Sequence, residues 1–284
     1  MYINNGISHL GLGLTSLKEG KMINSTQLPF INLLGAKGAG KDTIHEAIIR
    51  LFLPRHLRHL SKEELIERYH HHPPRMKLVK RATERKRRRG EEGNWKSPGS
   101  WVLQFFESEE FERRLTNGRY GPDVIFDDRG EEPIFSNKSG IYGDYAPDIL
   151  PLSLRWVSDN GVPARSGVLH PRHYPEPDED TLFYLGILAD STQLVTLLMM
   201  EYFPNMKSFF LSVEEEEIKQ RLCVRNKALG LTVKDHLEIN KRYLASHPED
   251  GCIVVSNDGG ITPEQCAIKI AKIAGLPLPA RVLR

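Results

Sequence analysis

Gly35 is followed, four residues later, by Gly40 and Lys41 in the string "GAKGAGKDT". In a G-x-x-x-x-G-K spacing, glycines let successive backbone N–H groups curl around phosphate oxygens. A helix starting at the loop's end adds partial positive charge, and the lysine reaches the β and γ phosphates. Gly35, Ala36, Lys37, Gly38, Ala39, Gly40, Lys41, Asp42 and Thr43 are therefore the candidate ATP-binding residues. Asp42 stands where a hydroxyl residue usually helps to hold Mg²⁺, and its carboxylate adds negative charge beside a polyphosphate. Either Asp42 binds the hydration shell of the ion, or Thr43, one position later, gives its hydroxyl to a phosphate. The competing reading is a glycine-rich turn with no ligand.

The flanking elements decide between these readings. "PFINLLG" is an apolar run stopped by glycine, the pattern of a buried strand, and Ile44, Ala47, Ile48, Leu51 and Phe52 then recur at helical spacing until Pro54. Strand, glycine loop and helix form the context that a phosphate loop requires. "SKEELIERYHHH" opens with a capping box, Ser61 with Glu64, and predicts a second helix over residues 61–72. Its adjacent histidines point in different directions on a helix, so a solvated helix end is preferred to a metal site.

From Trp95 to about Asp180 the chain is rich in Gly, Pro and Asp, and short apolar pieces such as "DVIFDD" suggest hairpins. Beyond it, "DTLFYLGILADS" is a long apolar run, "TQLVTLLMMEYF" has helical spacing and "MKSFFLSV" is a strand. "EEEEIKQRLCVRNKA" and "VKDHLEINKRYLAS" are amphipathic helices, "GCIVVSND" is a strand, and "TPEQCAIKIAKIAG" is a closing helix ended by Gly275. Alternating helices and strands behind a glycine loop predict an α/β fold with a mostly parallel sheet and an inserted middle subdomain.

Across 284 residues the net charge is only +2, but "RMKLVKRATERKRRRG" concentrates positive charge at residues 75–90. Three cysteines without CxxC or short Cys/His spacing suggest neither a disulfide framework nor zinc. With no basic leader before an apolar core and no membrane-length apolar run, the reading is a soluble, cytoplasmic protein without membrane partners.

Within the basic block, "TERKRRRGEEG" places Thr83, Arg85, Arg88, Gly90 and Glu91 in the order T-x-R-x-x-R-x-G-E, which resembles the acceptor-binding segment of the guanylate kinase family. The resemblance implies that Arg85 and Arg88 grip the acceptor phosphate and that Glu91 hydrogen-bonds the guanine edge. "FFESEEF" looks like the family's aromatic strand and helix start. "IYGDY" places Tyr142, with Asp144 after it, like the tyrosine that touches the acceptor phosphate. "SVEEEEIKQRLCVRNK" and "INKRYLAS" are similar to the lid, implying that Arg221, Arg225 and Arg242 close on the transferring phosphates. In "VVSND", Asn257 would lie beside the ATP base, and Asp190 in "GILADSTQ" would be the acid that reaches the metal or the acceptor.

The matches run in the family's order from about residue 30 to residue 275. Arg81, where the family commonly has a hydroxyl residue, and Asp144, in place of a small hydroxyl residue, depart from it. The family's second tyrosine has no clear counterpart, with Trp95, Trp101 and Leu103 as substitutes.

The resemblance implies a P-loop kinase fold with an inserted acceptor-binding subdomain and an arginine-bearing lid. The expected organisation is an N-terminal extension over 1–28, a guanylate kinase-like domain over 29–275 and a tail over 276–284. Within the domain, the enlarged insertion covers about 75–180 and the lid about 214–245. The implied activity is ATP- and Mg²⁺-dependent phosphoryl transfer to a nucleoside monophosphate, GMP or dGMP, with small nucleotides rather than nucleic acid as partners. The alternatives are a P-loop kinase for a deoxynucleotide or ribose bisphosphate, and a non-catalytic guanylate kinase-like binding module.

Overall fold

The computed structural model describes residues 27–36, 38–69, 72–83, 101–105, 107, 109–110, 113, 124–125, 133–137, 140–143, 155–157, 163–169, 174, 176–187, 203–229 and 252–282. Of 81–83, 103–105, 124–125, 133–137, 140–143, 155–157, 163–169, 225–229 and 281, only the backbone is described. The fold is α/β. Its first sheet is wholly parallel, in the spatial order β12 (Ile253–Ser256), β11 (Met206–Ser212), β1 (Phe30–Leu34), β10 (Phe183–Gly186) and β2 (Met76–Val79). In the middle is β1, buried at all five residues. Its neighbours are β10 and β11, and the outer strands are β2 and β12.

Strand periodicity divides the residues between two faces. Ile31, Leu33, Leu78, Phe183, Leu185, Phe209 and Leu211 join one core with Ile44, Ile48 and Phe52 of α1 (Lys41–Phe52) and with Ile270 of the closing helix. Phe30, Val79, Tyr184 and Met206 pack with Phe203 on the opposite face. Full burial of each large apolar side chain contributes about 1.5–3 kcal/mol, enough to fix strand register, because a one-residue slip would exchange the faces. Gly186 allows close packing: a Cβ there would lie 3.0 Å from Val79 Cβ.

The helix signals are local and are met. After α1 the chain extends at Leu53, as a residue before proline must. The capping box of α2 (Lys62–Arg68) forms between Ser61 and Glu64, with the Ser61 N–H donating to Glu64 Oε2 at 2.6 Å. This helix ends before the histidine run, earlier than the sequence pattern predicts, as Tyr69 leaves helical geometry at φ −123° and ψ 63°. His72 instead accepts a hydrogen bond at Nδ1 from the Leu78 N–H at 2.9 Å. An acidic first turn opens α3 (Glu215–Leu229), and α4 (Pro263–Ala274) has a Thr262–Gln265 capping box, Pro at its start and Gly275 in the left-handed conformation at its end.

A second sheet, mostly antiparallel, occupies the middle of the chain. Its spatial order is β4 (Leu103–Phe105), β3 (Arg81–Thr83), β9 (Pro163–Leu169), β8 (Arg155–Val157), β7 (Gly140–Gly143) and β6 (Pro133–Asn137), with β5 (Val124–Ile125) also paired to β9. "MKLV" of β2 is a strand of the parallel sheet, with three of its four residues buried, and the chain crosses to the second sheet only at Lys80. Among the described residues no helix is long and apolar enough to cross a membrane.

Candidate functional site

The glycine loop leaves the carboxyl end of β1 and enters α1, and its glycines at 35, 38 and 40 all have positive φ, at 142°, 87° and 83°. Two of these positions are also crowded. A Cβ at Gly35 would lie 3.0 Å from the Leu211 carbonyl, and one at Gly40 would lie 2.8 Å from Asn257 Nδ2. Conformation and close approach therefore both require glycine. Gly40 is the N-cap of α1 and supplies no side-chain cap, so the first-turn N–H groups stay uncommitted to one. Those amides, with the positive end of the helix dipole, make a site for anionic oxygens.

Lys41 Nζ donates to the carbonyls of Gly35 and Ala36, the latter at 3.0 Å, which folds the ammonium over the loop. Asp42 and Thr43 follow on the first turn with exposed side chains. Their donors are hard oxygens, the type that suits Mg²⁺. The residues present therefore fit both a polyphosphate and its counter-ion: a cradle that Cβ atoms would fill, an ammonium above it and oxygen ligands beside it.

Two distant elements brace this loop. Asn257, at the end of β12 and 5% exposed, donates from Nδ2 to the Ala39 carbonyl at 2.7 Å. Arg221 of α3 donates from Nη2 to the Asn257 carbonyl at 2.6 Å and from Nη1 to the Gly38 carbonyl at 3.5 Å. Glu217, one turn earlier, accepts from Arg221 at 2.7 Å, and its other carboxylate oxygen accepts from the Gly259 N–H at 2.5 Å. Ile218 and Leu222 of the same helix stand beside Gly38, where a Cβ would lie 3.3 and 3.2 Å from them. Asp258, beside Asn257, accepts from the Ser256 hydroxyl and the Glu214 N–H, which hold its carboxyl below the ordinary range.

Of the residues nominated by sequence, the structure gathers Gly35, Ala36, Gly38, Ala39, Gly40, Lys41, Asp42, Thr43, Arg221 and Asn257 around one loop. Arg225 lies on α3, one turn beyond Arg221, and Thr83 and Tyr142 lie on β3 and β7 of the second sheet; for these three the backbone alone is described. Lys37, Arg85, Arg88, Glu91, Asp144, Asp190 and Arg242 lie outside the described residues.

Sequence reasoning passed over Glu217, whose signal was its place four residues before Arg221 on a helix. It also passed over two buried polar residues, His45 and Lys80, which are 1% and 7% exposed; Trp101, named only as a substitute for the family's second tyrosine, is 2% exposed. His45 is pushed down to about 3, first by burial and then by the charges of Lys62 and Lys80. Burial pushes Lys80 down to about 8. The signal for Lys80 was parity, since it shares a face with Met76 and Leu78.

No family model matches the chain, and no curated protein matches it by sequence. Among the solved structures that match is a guanylate kinase from Anaplasma phagocytophilum. It is 15% identical with a TM-score of 0.38, and the match covers 89% of this chain and 86% of that one.

Proposed function

We propose that the chain is a P-loop phosphotransferase that moves the terminal phosphoryl group of ATP to a nucleoside monophosphate, GMP or dGMP. The observation that carries this reading is the loop itself: three positive-φ glycines, an uncapped helix start and a lysine ammonium folded over the cradle. A structural turn would need neither the crowding against Leu211 and Asn257 nor the braces from α3 and β12. The acceptor assignment rests on the order Thr83, Arg85, Arg88, Glu91 in the sequence.

The attacking oxygen of a phosphate acceptor is already ionised, so no general base is needed, and catalysis rests on alignment and neutralisation of charge. Loop amides and Lys41 hold the donor phosphates. Arg221 positions the loop through Gly38 and Asn257, and Arg85, Arg88, Arg225 and Arg242 supply further guanidinium groups whose planar forks match phosphate oxygens. Asp42 and Thr43 would hold Mg²⁺, which when bound neutralises charge on the β and γ oxygens.

Lys41→Ala is expected to lower ADP release in the presence of GMP roughly a hundredfold or more, because a charged donor to the transferring group is lost. The circular dichroism spectrum should stay that of the parent. Near-normal turnover in that variant would defeat the assignment of the loop. The acceptor is tested by following ADP release with GMP, dGMP, other deoxynucleotides and ribose bisphosphate; strong preference for the sugar phosphate would replace the nucleotide assignment.

A further inference from the structure

Among the described residues β2 is the last strand of the parallel sheet, with β10 on one side only. Alternate residues of a strand turn their N–H groups to opposite sides, so an edge strand presents a row of donors with no strand to take them. Arg75, whose carbonyl accepts from the Leu182 N–H at 2.8 Å, sets the parity. Positions 75, 77 and 79 face β10, and Met76 and Leu78 face outward.

Both outward N–H groups are nonetheless taken, and by the chain just before the strand. Met76 donates to the Pro73 carbonyl at 3.4 Å, and Leu78 donates to Nδ1 of His72 at 2.9 Å. The reversal that brings His72 alongside has Pro74 second and Arg75 third, the order of a type II turn. Its third position needs positive φ, and Arg75, at φ 72°, is the one non-glycine residue among those described with that conformation. A residue with a Cβ disfavours it, so the fold-back is enforced by its surroundings.

Chemistry distinguishes the two caps. The Pro73 carbonyl accepts at every pH. Imidazole accepts at Nδ1 only while that nitrogen carries no proton, and histidine is the side chain whose ordinary charge change falls between pH 5 and 8. We propose that His72 is a proton-sensitive clamp on the open edge of β2: neutral, it closes the edge at Leu78; protonated, it turns a donor toward a donor and lets the edge go.

The charged groups on the adjoining elements are Glu67 and Arg68 of α2, Arg75 in the turn, Lys77 of β2, Lys80 just beyond it, and Asp178, which accepts from Lys77 at 2.6 Å. The hydrogen bond from Lys77 holds Asp178 below the ordinary carboxylate range, and burial lowers Lys80 only to about 8. Both therefore stay mainly charged from pH 5.5 to 7.0, where His72 changes. The clamp sits at the joint between the sheets, because Lys80 alone separates β2 from β3. Its release loosens the strand through which the second sheet is joined to the first.

Amide hydrogen exchange at Leu78, with each rate referred to that of the unstructured chain at the same pH, tests the clamp. Between pH 7.0 and 5.5 protection in the parent should fall about fivefold more than in His72→Asn, whose amide oxygen accepts at both values. Lys77 and Val79, with N–H groups toward β10, should change alike in the two proteins. His72→Ala, with no acceptor, should leave Leu78 weakly protected at both values. In ¹⁵N NMR of the imidazole, Nδ1 should carry no proton at pH 7.0. An equal fall at Leu78 in the parent and His72→Asn would overturn the proposal. So would a difference between them that Lys77 and Val79 share, parent-like protection of Leu78 in His72→Ala, or a protonated Nδ1 at pH 7.0.

Discussion

Replacing His45 by leucine removes a buried imidazole that the fold holds neutral, and the effect on acid stability can be worked from its displacement from 6.5 to about 3. The folded chain resists the proton while the unfolded chain takes it near 6.5. His45 therefore costs nothing above that pH and destabilises progressively as pH falls from 6.5 towards 3. At 1.36 kcal/mol per unit the full displacement corresponds to about 5 kcal/mol, of which about 2 kcal/mol is reached by pH 5. Urea unfolding of the parent and of His45→Leu, followed by circular dichroism at pH 7.5 and pH 5, isolates this share. The parent should lose about 2 kcal/mol more than the variant between the two values. Other histidines titrate alike in both proteins and cancel. Equal losses would refute the reasoning, since they would mean that His45 protonates in the fold as readily as in the unfolded chain.

Gly40→Ala places a Cβ 2.8 Å from Asn257 Nδ2 at φ 83°, and should lower stability by about 1–2 kcal/mol, read as a fall in Tm, while raising the KM for ATP more than it lowers kcat. Glu217→Ala frees both Arg221 and the Gly259 N–H, so the KM for ATP should rise although Glu217 touches no loop atom; Glu217→Gln, which keeps an acceptor oxygen, should restore most of it. An unchanged KM in Glu217→Ala would dissociate Arg221 from the loop.

What could be read in the chain was local. The Ser61–Glu64 and Thr262–Gln265 boxes, Pro54 and Gly275 act within a few residues of themselves, so helix boundaries that depend on them follow from sequence. The end of α2 was less legible, because nothing in "RYHHH" forbids a helix and the break at Tyr69 is a matter of backbone conformation. β2 was harder. Its four residues lie against a basic block whose charge suggests a solvated face, and only pairing with β10, a strand about a hundred positions away, gives them a buried setting.

The site divides in the same way. The loop announces itself because its chemistry needs consecutive residues: glycines for positive φ, then a lysine at the helix start. Its braces do not, because Ala39 and Asn257 are separated by 218 positions and Gly38 and Arg221 by 183. Asn257, expected beside the ATP base, donates from its amide nitrogen to the Ala39 carbonyl. Its contribution to binding would then run through the shape of the loop. A loop with three positive-φ glycines has few side chains to fix it, so its geometry depends on contacts from elements late in the chain, α3 and β12. An ordered phosphate cradle therefore requires the completed parallel sheet. The loop's sequence motif alone cannot establish its geometry.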